Sequence, residues 1–128
     1  MMRTVEGKYF DTFNTISACC EENLLQAAMD RCAWYDSLLS KTVEGSDVWK
    51  INHAGGEPVL VNPDTLTILR TAAEVSAASG GAFNIAVGAI VNLWRFTSGG
   101  SEIPSETHLK AAVSRSDPAK IKLDGGQV

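Results

Sequence analysis

The sequence has 128 residues, with 45% hydrophobic and 20% charged side chains, as expected for one soluble globular domain. Its formal net charge is −4, and the basic residues are scattered instead of forming a stripe, which argues against a nucleic-acid-binding face. The apolar run of residues 79–96 is too short and too polar at its ends to span a membrane. We therefore expect a single domain over residues 1–128 with no membrane span.

The three cysteines, Cys19, Cys20 and Cys32, are odd in number and two are adjacent, which is a poor basis for a disulfide framework. This pattern favours reduced thiols, and no histidine lies at a spacing that would complete a metal site with them. The first residues lack an apolar segment with a cleavage site. We therefore expect a cytoplasmic protein, or one exported in a longer precursor whose signal is absent here.

The first half of the chain predicts a strand, a helix and a polar connection. Residues 8–20 are rich in aromatic, Thr and Ile residues, which favours a strand with a break near Asp11 and Thr12. The acidic pair at 21–22 then opens a helix that ends near residue 39 or 40. Its buried face is expected at helical spacing, at Leu25, Ala28, Cys32, Tyr35 and Leu39. Residues 41–58 predict a polar connection anchored by Val48 and Ile51.

The second half predicts two short strands and two helices. After a strand at 59–61, Asn62 caps a helix with Pro63 at its first position, and Gly80 suits a left-handed end. The expected buried stripe of this helix is Leu66, Leu69, Ala73 and Ser76 or Ala77. A flexible surface loop is expected at 97–101, a strand at 121–123 and a turn at 124–126. Ser105 caps a third helix, with Leu109, Ala112 and Val113 facing inward.

Together these elements predict an α+β fold with about three helices and a short mixed or antiparallel sheet that looks incomplete. The apolar run at 79–96 allows two interpretations. Its glycines, Phe83, Trp94 and Phe96 are suited to a pocket for a flat ligand, with Asn84 as a donor and acceptor. In the second interpretation the run is a buried loop packed on the helices, and physical reasoning alone favours this one.

Two further segments are favoured as structural features by physical reasoning. Ser46 and Asn52 flank a segment in which local side-chain hydrogen bonds would cap turns or a helix. Phe10, Asp11 and Thr12 either mark a strand end or bulge, or hold a metal or a substrate hydroxyl, and the strand end is favoured. The sequence contains no nucleophile elbow, Walker A loop or zinc-protease helix.

Three stretches in this order resemble one family, the FAD:protein FMN transferases of the ApbE type, once described as thiamine-biosynthesis lipoproteins. They are FDTFNTI (residues 10–16), LLSKTVEGSDVWKIN (38–52) and SGGAFNIAVGAIVNLWRF (79–96). The segment IPSETHLKAAV (103–113) is similar to the family's next helix. The resemblance covers nearly all of this chain and only the N-terminal portion of a typical member.

The resemblance implies binding of FAD and Mg²⁺, and transfer of FMN from FAD to a Thr or Ser of a target protein. The implied flavin contacts are Ala82, Phe83, Asn84, Thr42 and Phe10. The family usually has Asp at the position of Asn84, Tyr at that of Thr42 and Met at that of Phe10. Its metal ligands belong to segments that follow position 128, so the resemblance implies no magnesium bound by this chain alone and a partial FAD site.

Two hypotheses follow. In the first, the chain is the N-terminal part of an FMN transferase and needs a C-terminal half for the chemistry. In the second, it is a degenerate, non-catalytic module for flavin binding or assembly, completed by a second copy as a homo-oligomer through its unpaired C-terminal strand.

Overall fold

A computed structural model describes residues 1–94, 99 and 102–128 of the chain. It confirms the α+β class, because the described residues form a two-stranded antiparallel sheet and five α-helices. The strands are β1 (Arg3–Tyr9) and β2 (Thr12–Ala18). The helices are α1 (Glu22–Leu39), α2 (Asp47–His53), α3 (Pro63–Ala78), α4 (Gly88–Val91) and α5 (Glu106–Val113).

The chain divides into two compact units, Met1–Thr65 and Leu66–Val128. The expectation of a single domain over residues 1–128 stays a prediction. The loop predicted at 97–101 lies, apart from Gly99, outside the described residues. No helix of the described part of the chain has the length and apolarity that crossing a lipid bilayer would need.

In the first unit, the strand predicted over residues 8–20 is wrong in extent, because β1 and β2 form a hairpin that begins at Arg3. The predicted break is the two-residue turn between Tyr9 and Thr12, which pair across it. Alternate hairpin residues are half-buried, and the hairpin packs on α1. At Gly7 an added Cβ would lie 2.7 Å from the Tyr9 Cε2 atom and 2.9 Å from the Met29 Sδ atom, so a larger residue there would displace these two side chains.

Helix α1 confirms the predicted extent and corrects part of its predicted face. Leu25 is buried as expected, but Ala28 is exposed and its neighbour Met29 is buried in its place. The connection predicted over residues 41–58 contains α2, whose first turn is capped by the Ser46 hydroxyl oxygen accepting from the Trp49 N–H. The local cap interpretation of Ser46 is therefore confirmed, whereas Asn52 lies exposed within the helix.

Helix α3 begins as predicted, with the Asn62 side chain accepting from the Asp64 N–H at 2.9 Å. In its second-unit portion, Leu66 and Ser76 are buried. Ser76 is thus the buried one of the two alternatives Ser76 and Ala77, whereas Ala73, also expected to be buried, is exposed. Among the described residues, 121–123 belong to no strand, so that prediction is wrong. Residues 59–61 lie outside the two-stranded sheet and only Leu60 among them forms a β-bridge, so the predicted strand is reduced to a single bridge.

The second unit continues through α4, a 3₁₀ turn at Asn92–Trp94, α5 and a 3₁₀ turn at Pro118–Lys120. Ser105 caps α5 by accepting from the His108 N–H at 3.3 Å. Ala112 is fully buried as predicted, but Val113 is exposed because it lies on the solvent side of this short helix. The predicted turn at 124–126 is present, since Asp124 and Gln127 exchange both backbone hydrogen bonds.

Candidate functional site

The loop that follows α3 is fixed by a C-terminal cap made of two left-handed glycines. Gly80 has φ +61° and Gly81 has φ +85°. The Gly80 N–H donates to the Ala77 carbonyl at 3.1 Å, and the Gly81 N–H donates to the Ser76 carbonyl at 2.9 Å. These two bonds satisfy carbonyls of the last helical turn in the Schellman pattern. The predicted left-handed end at Gly80 is therefore confirmed, and the chain leaves α3 in a defined direction.

The same glycines leave an open surface for a ligand. A Cβ built on Gly80 or Gly81 would meet no atom within 4 Å, so the backbone there faces open space. The two glycines also line an open groove of about 530 Å³, together with small residues of α3 and residues of the Pro118–Lys120 turn. An uncluttered backbone beside an apolar groove fits close approach of a flat ring.

Phe83 is held by its backbone and leaves its ring accessible. Its N–H donates to the Ser79 hydroxyl oxygen at 3.0 Å, and Ser79 in turn donates to the Ser76 carbonyl at 3.1 Å. The Phe83 side chain is 45% exposed, and Ala82 beside it is exposed. This part of the 79–96 run is therefore a surface loop, which corrects the interpretation of the run as buried core. Phe96, at its other end, lies outside the described residues.

Asn84 connects this loop to the segment after α5. Its Nδ2 donates to the Ser116 carbonyl at 2.7 Å, and its Oδ1 accepts from the Ala86 N–H at 2.7 Å. The Asn84 amide thus uses one of its donors and one of its acceptor sites in hydrogen bonds within the protein. One N–H and one oxygen lone pair remain for a ligand, since a carboxamide has two donors and two acceptor sites.

The two other predicted contacts, Phe10 and Thr42, lie in the first unit. Phe10 is the first residue of the hairpin turn, has φ +56° and is 46% exposed. Thr42 is exposed after α1, and its hydroxyl lies 3.3 Å from that of Ser40. The structure thus brings Ala82, Phe83 and Asn84 together in one loop and places Phe10 and Thr42 at the surface of the other unit.

A buried carboxylate that sequence reasoning missed stabilises the start of α3. Asp47 in α2 is only 4% exposed. Its Oδ2 accepts from the Asn62 N–H at 2.8 Å and from the Thr65 hydroxyl at 2.7 Å, and its Oδ1 lies 3.4 Å from the Lys50 Nζ. Burial raises the pKa of the Asp47 carboxyl, but these bonds favour the ionised form by more and hold its pKa below the ordinary value. Asp47 therefore links the first turn of α2 to the start of α3.

The described residues contain no group of three or more His, Cys, Asp or Glu side chains placed to hold a metal ion. The loop itself presents aromatic, amide and backbone groups.

The fold agrees with that of solved flavin transferases. The flavin transferase ApbE of Vibrio cholerae superposes with a TM-score of 0.85 over 99% of this chain and 44% of that one, at 23% identity. Among curated proteins, the FAD:protein FMN transferase of Klebsiella pneumoniae (strain 342) is 33% identical over 91 residues. The protein of the same description from Treponema pallidum (strain Nichols) is 34% identical over 92 residues.

The family model described as the ApbE family matches residues 5–128. The chain belongs to the ApbE family. The two curated alignments cover 70% and 71% of this chain but only 29% and 25% of the relatives' own lengths. The predicted N-terminal correspondence fits this coverage.

Proposed function

We propose that this chain is the flavin-contacting N-terminal portion of an FAD:protein FMN transferase and is inactive without the remainder of the site. The observation that carries the proposal is the match to two curated enzymes of that description at 33% and 34% identity over about seven-tenths of the chain. Both matches use less than a third of the relatives' lengths, which supports a partial site.

The geometry of the loop supports FAD as the ligand. Gly80 and Gly81 present open backbone, and Phe83 presents nearly half of its side-chain surface. A ring lying on such a surface gains apolar burial and an aromatic contact of about 1 kcal/mol. We assign the flavin contacts to Ala82, Phe83 and Asn84 in this loop and to Phe10 and Thr42 in the first unit.

The proposed reaction is a phosphoryl transfer. The hydroxyl oxygen of a target Ser or Thr bonds to the FMN phosphorus of FAD, the pyrophosphate bond breaks, AMP leaves and the hydroxyl proton is released. A bound Mg²⁺ would neutralise charge that develops on the phosphoryl oxygens. Within this proposal the chain's own loop binds and orients the flavin, and the metal ligands come from outside the described residues.

FAD titration of the purified chain tests the proposal. We expect saturable binding, followed by fluorescence anisotropy of the flavin, and a severalfold loss of affinity in Phe83→Ala. Leu24→Ala is the control, because Leu24 is also exposed, at 58%, and lies in the first turn of α1, which holds none of the assigned contacts. Absence of binding at millimolar FAD would refute the flavin function. Release of AMP by the chain alone, with FAD, Mg²⁺ and an acceptor protein, would refute its inactivity alone.

A second candidate function is a degenerate, non-catalytic flavin-binding or assembly module completed by a second copy of this chain. The observation that motivates it is a departure from the family pattern: the family usually has an acid where this chain has Asn84, whose amide bonds to Ser116 and Ala86. This function predicts a dimeric or higher mass in light scattering. A monomeric mass together with FAD binding would leave the transferase portion as the function.

A further inference from the structure

The turn of the β1–β2 hairpin contains a residue, Phe10, of a type that rarely adopts the turn's conformation. Phe10 has φ +56° and Asp11 has φ +55°, so both lie in the left-handed region. Asp tolerates that region, whereas a bulky residue such as Phe rarely adopts it. Two-residue hairpin turns of this kind usually contain Asn-Gly or Asp-Gly. Here the first turn residue is instead the aromatic Phe10, which is 46% exposed.

Two polar side chains brace this unusual turn. The Asp36 Oδ1 atom, on α1, accepts a hydrogen bond from the Phe10 N–H at 2.8 Å. The Asn14 Nδ2 atom, on β2, donates to the Tyr9 carbonyl at 2.9 Å and to the Thr12 carbonyl at 3.0 Å. The backbone on both sides of the turn is therefore fixed, by one residue of the hairpin and by one residue 26 positions further along the chain.

Holding the turn in this conformation also holds the Phe10 ring in one position. A left-handed bulky residue persists only where its surroundings hold it, and such residues cluster at ligand clamps. Core packing does not explain this one, because much of the ring is exposed. Of the two braces described, the Asp36 bond acts on Phe10 itself and comes from outside the hairpin, so it holds the turn against α1.

We propose that Asp36 is a positioning residue that holds the Phe10 ring in place for flavin binding. The proposal rests on the flavin-binding function proposed above and deepens it, since it names a residue that does not touch the ligand. The bond requires an acceptor oxygen at position 36 and no negative charge, because the partner is a neutral backbone N–H. Asparagine therefore replaces Asp36 in this role, and alanine does not.

The test compares FAD affinity in four variants. Asp36→Ala should bind FAD about threefold to tenfold more weakly, the range of one aromatic contact. Asp36→Asn should stay within twofold of the wild type. Asp30→Ala is the matched control on α1, because the exposed Asp30 carboxylate accepts only from the Gln26 side chain among the bonds described. Phe10→Asn, which suits the left-handed turn but lacks the ring, should lose as much affinity as Asp36→Ala.

The double variant separates positioning from a general structural effect. If Asp36 acts through the ring, Asp36→Ala should weaken FAD binding no further in the Phe10→Asn background. Hydrogen exchange of the Phe10 amide gives a readout without ligand: it should be slow in the wild type and in Asp36→Asn, and fast in Asp36→Ala.

Four outcomes overturn the proposal. Additive losses in the double variant, or a full loss in Asp36→Asn, would overturn it while leaving flavin binding intact. Wild-type affinity in Phe10→Asn would also overturn it, even if Asp36→Ala did not fold. Failure of the wild-type chain to bind FAD would refute the proposed function and this inference together, which distinguishes the two kinds of failure.

Discussion

Replacing Asp47 by alanine should destabilise the first unit more than any exposed substitution. The change removes the acceptor for the Asn62 N–H and for the Thr65 hydroxyl, and Thr65 has 0% exposure, so water cannot replace the lost partner. Each hydrogen bond to a buried charged acceptor is worth about 1.5 kcal/mol at the low end, so the expected loss is about 3 kcal/mol. The Lys50 pair adds less, because Lys50 is exposed to solvent.

Urea unfolding followed by tryptophan fluorescence measures this loss, since Trp49 lies in the same helix as Asp47. A loss of about 3 kcal/mol lowers the urea midpoint by about 1–2 M. Asp47→Asn is the graded control: its amide oxygen can face both donors, so it should lose only about 1 kcal/mol. Asp30→Ala should change nothing measurable. If Asp47→Ala unfolds within 0.5 kcal/mol of the wild type, about the size of an ordinary surface effect, the network does not stabilise the fold.

The remaining predictions concern pH and the loop after α3. Because the folded-state pKa of Asp47 lies below its ordinary value, its stabilisation is full above that value and is lost as pH falls through the lowered one. The difference in unfolding free energy between wild type and Asp47→Asn should therefore shrink below about pH 4, and a constant difference would contradict this. Asn84→Asp should cost about 1–3 kcal/mol at pH 7 in thermal or urea unfolding, because a carboxylate then faces the Ser116 carbonyl; an unchanged midpoint would exclude that contact. Gly81→Ala should cost about 1–2 kcal/mol at φ +85°, whereas Gly88→Ala, at a glycine without positive φ, should not destabilise; equal effects would contradict the cap.

Elements whose signals are local could be predicted from the sequence. The Asn62–Pro63 start of α3, its Gly80 end and the Ser105 cap each depend on residues within a few positions of one another. Capping follows from backbone donors and acceptors that the first and last helical turns leave unpaired. These signals do not depend on the rest of the chain, so the sequence predicts these three helix ends correctly.

Features that depend on distant partners could not be predicted. The hairpin lacks the Asn-Gly or Asp-Gly signal, because its turn is Phe10-Asp11 and is held by Asp36 from α1. Asp47 has the sequence signature of an exposed acid in a first helical turn, and its burial arises from Asn62 and Thr65, 15 and 18 residues later. The exposed Ala28 and buried Met29 show the same limit: periodicity gives a face to within one position, and packing on β1 decides the rest.

At the candidate site, the structure explains a departure from the family pattern that the sequence alone does not explain. From the sequence, asparagine at position 84 looks like the loss of an acid. In the fold, its Nδ2 donates to the Ser116 carbonyl, which no carboxylate can do, while its Oδ1 keeps the bond to Ala86 that an acid would also make. The substitution thus exchanges a charge for an anchor between the loop and the segment after α5. An anchored loop serves flavin binding as well as it serves assembly, so Asn84 does not by itself indicate degeneration, and FAD affinity decides between the two functions.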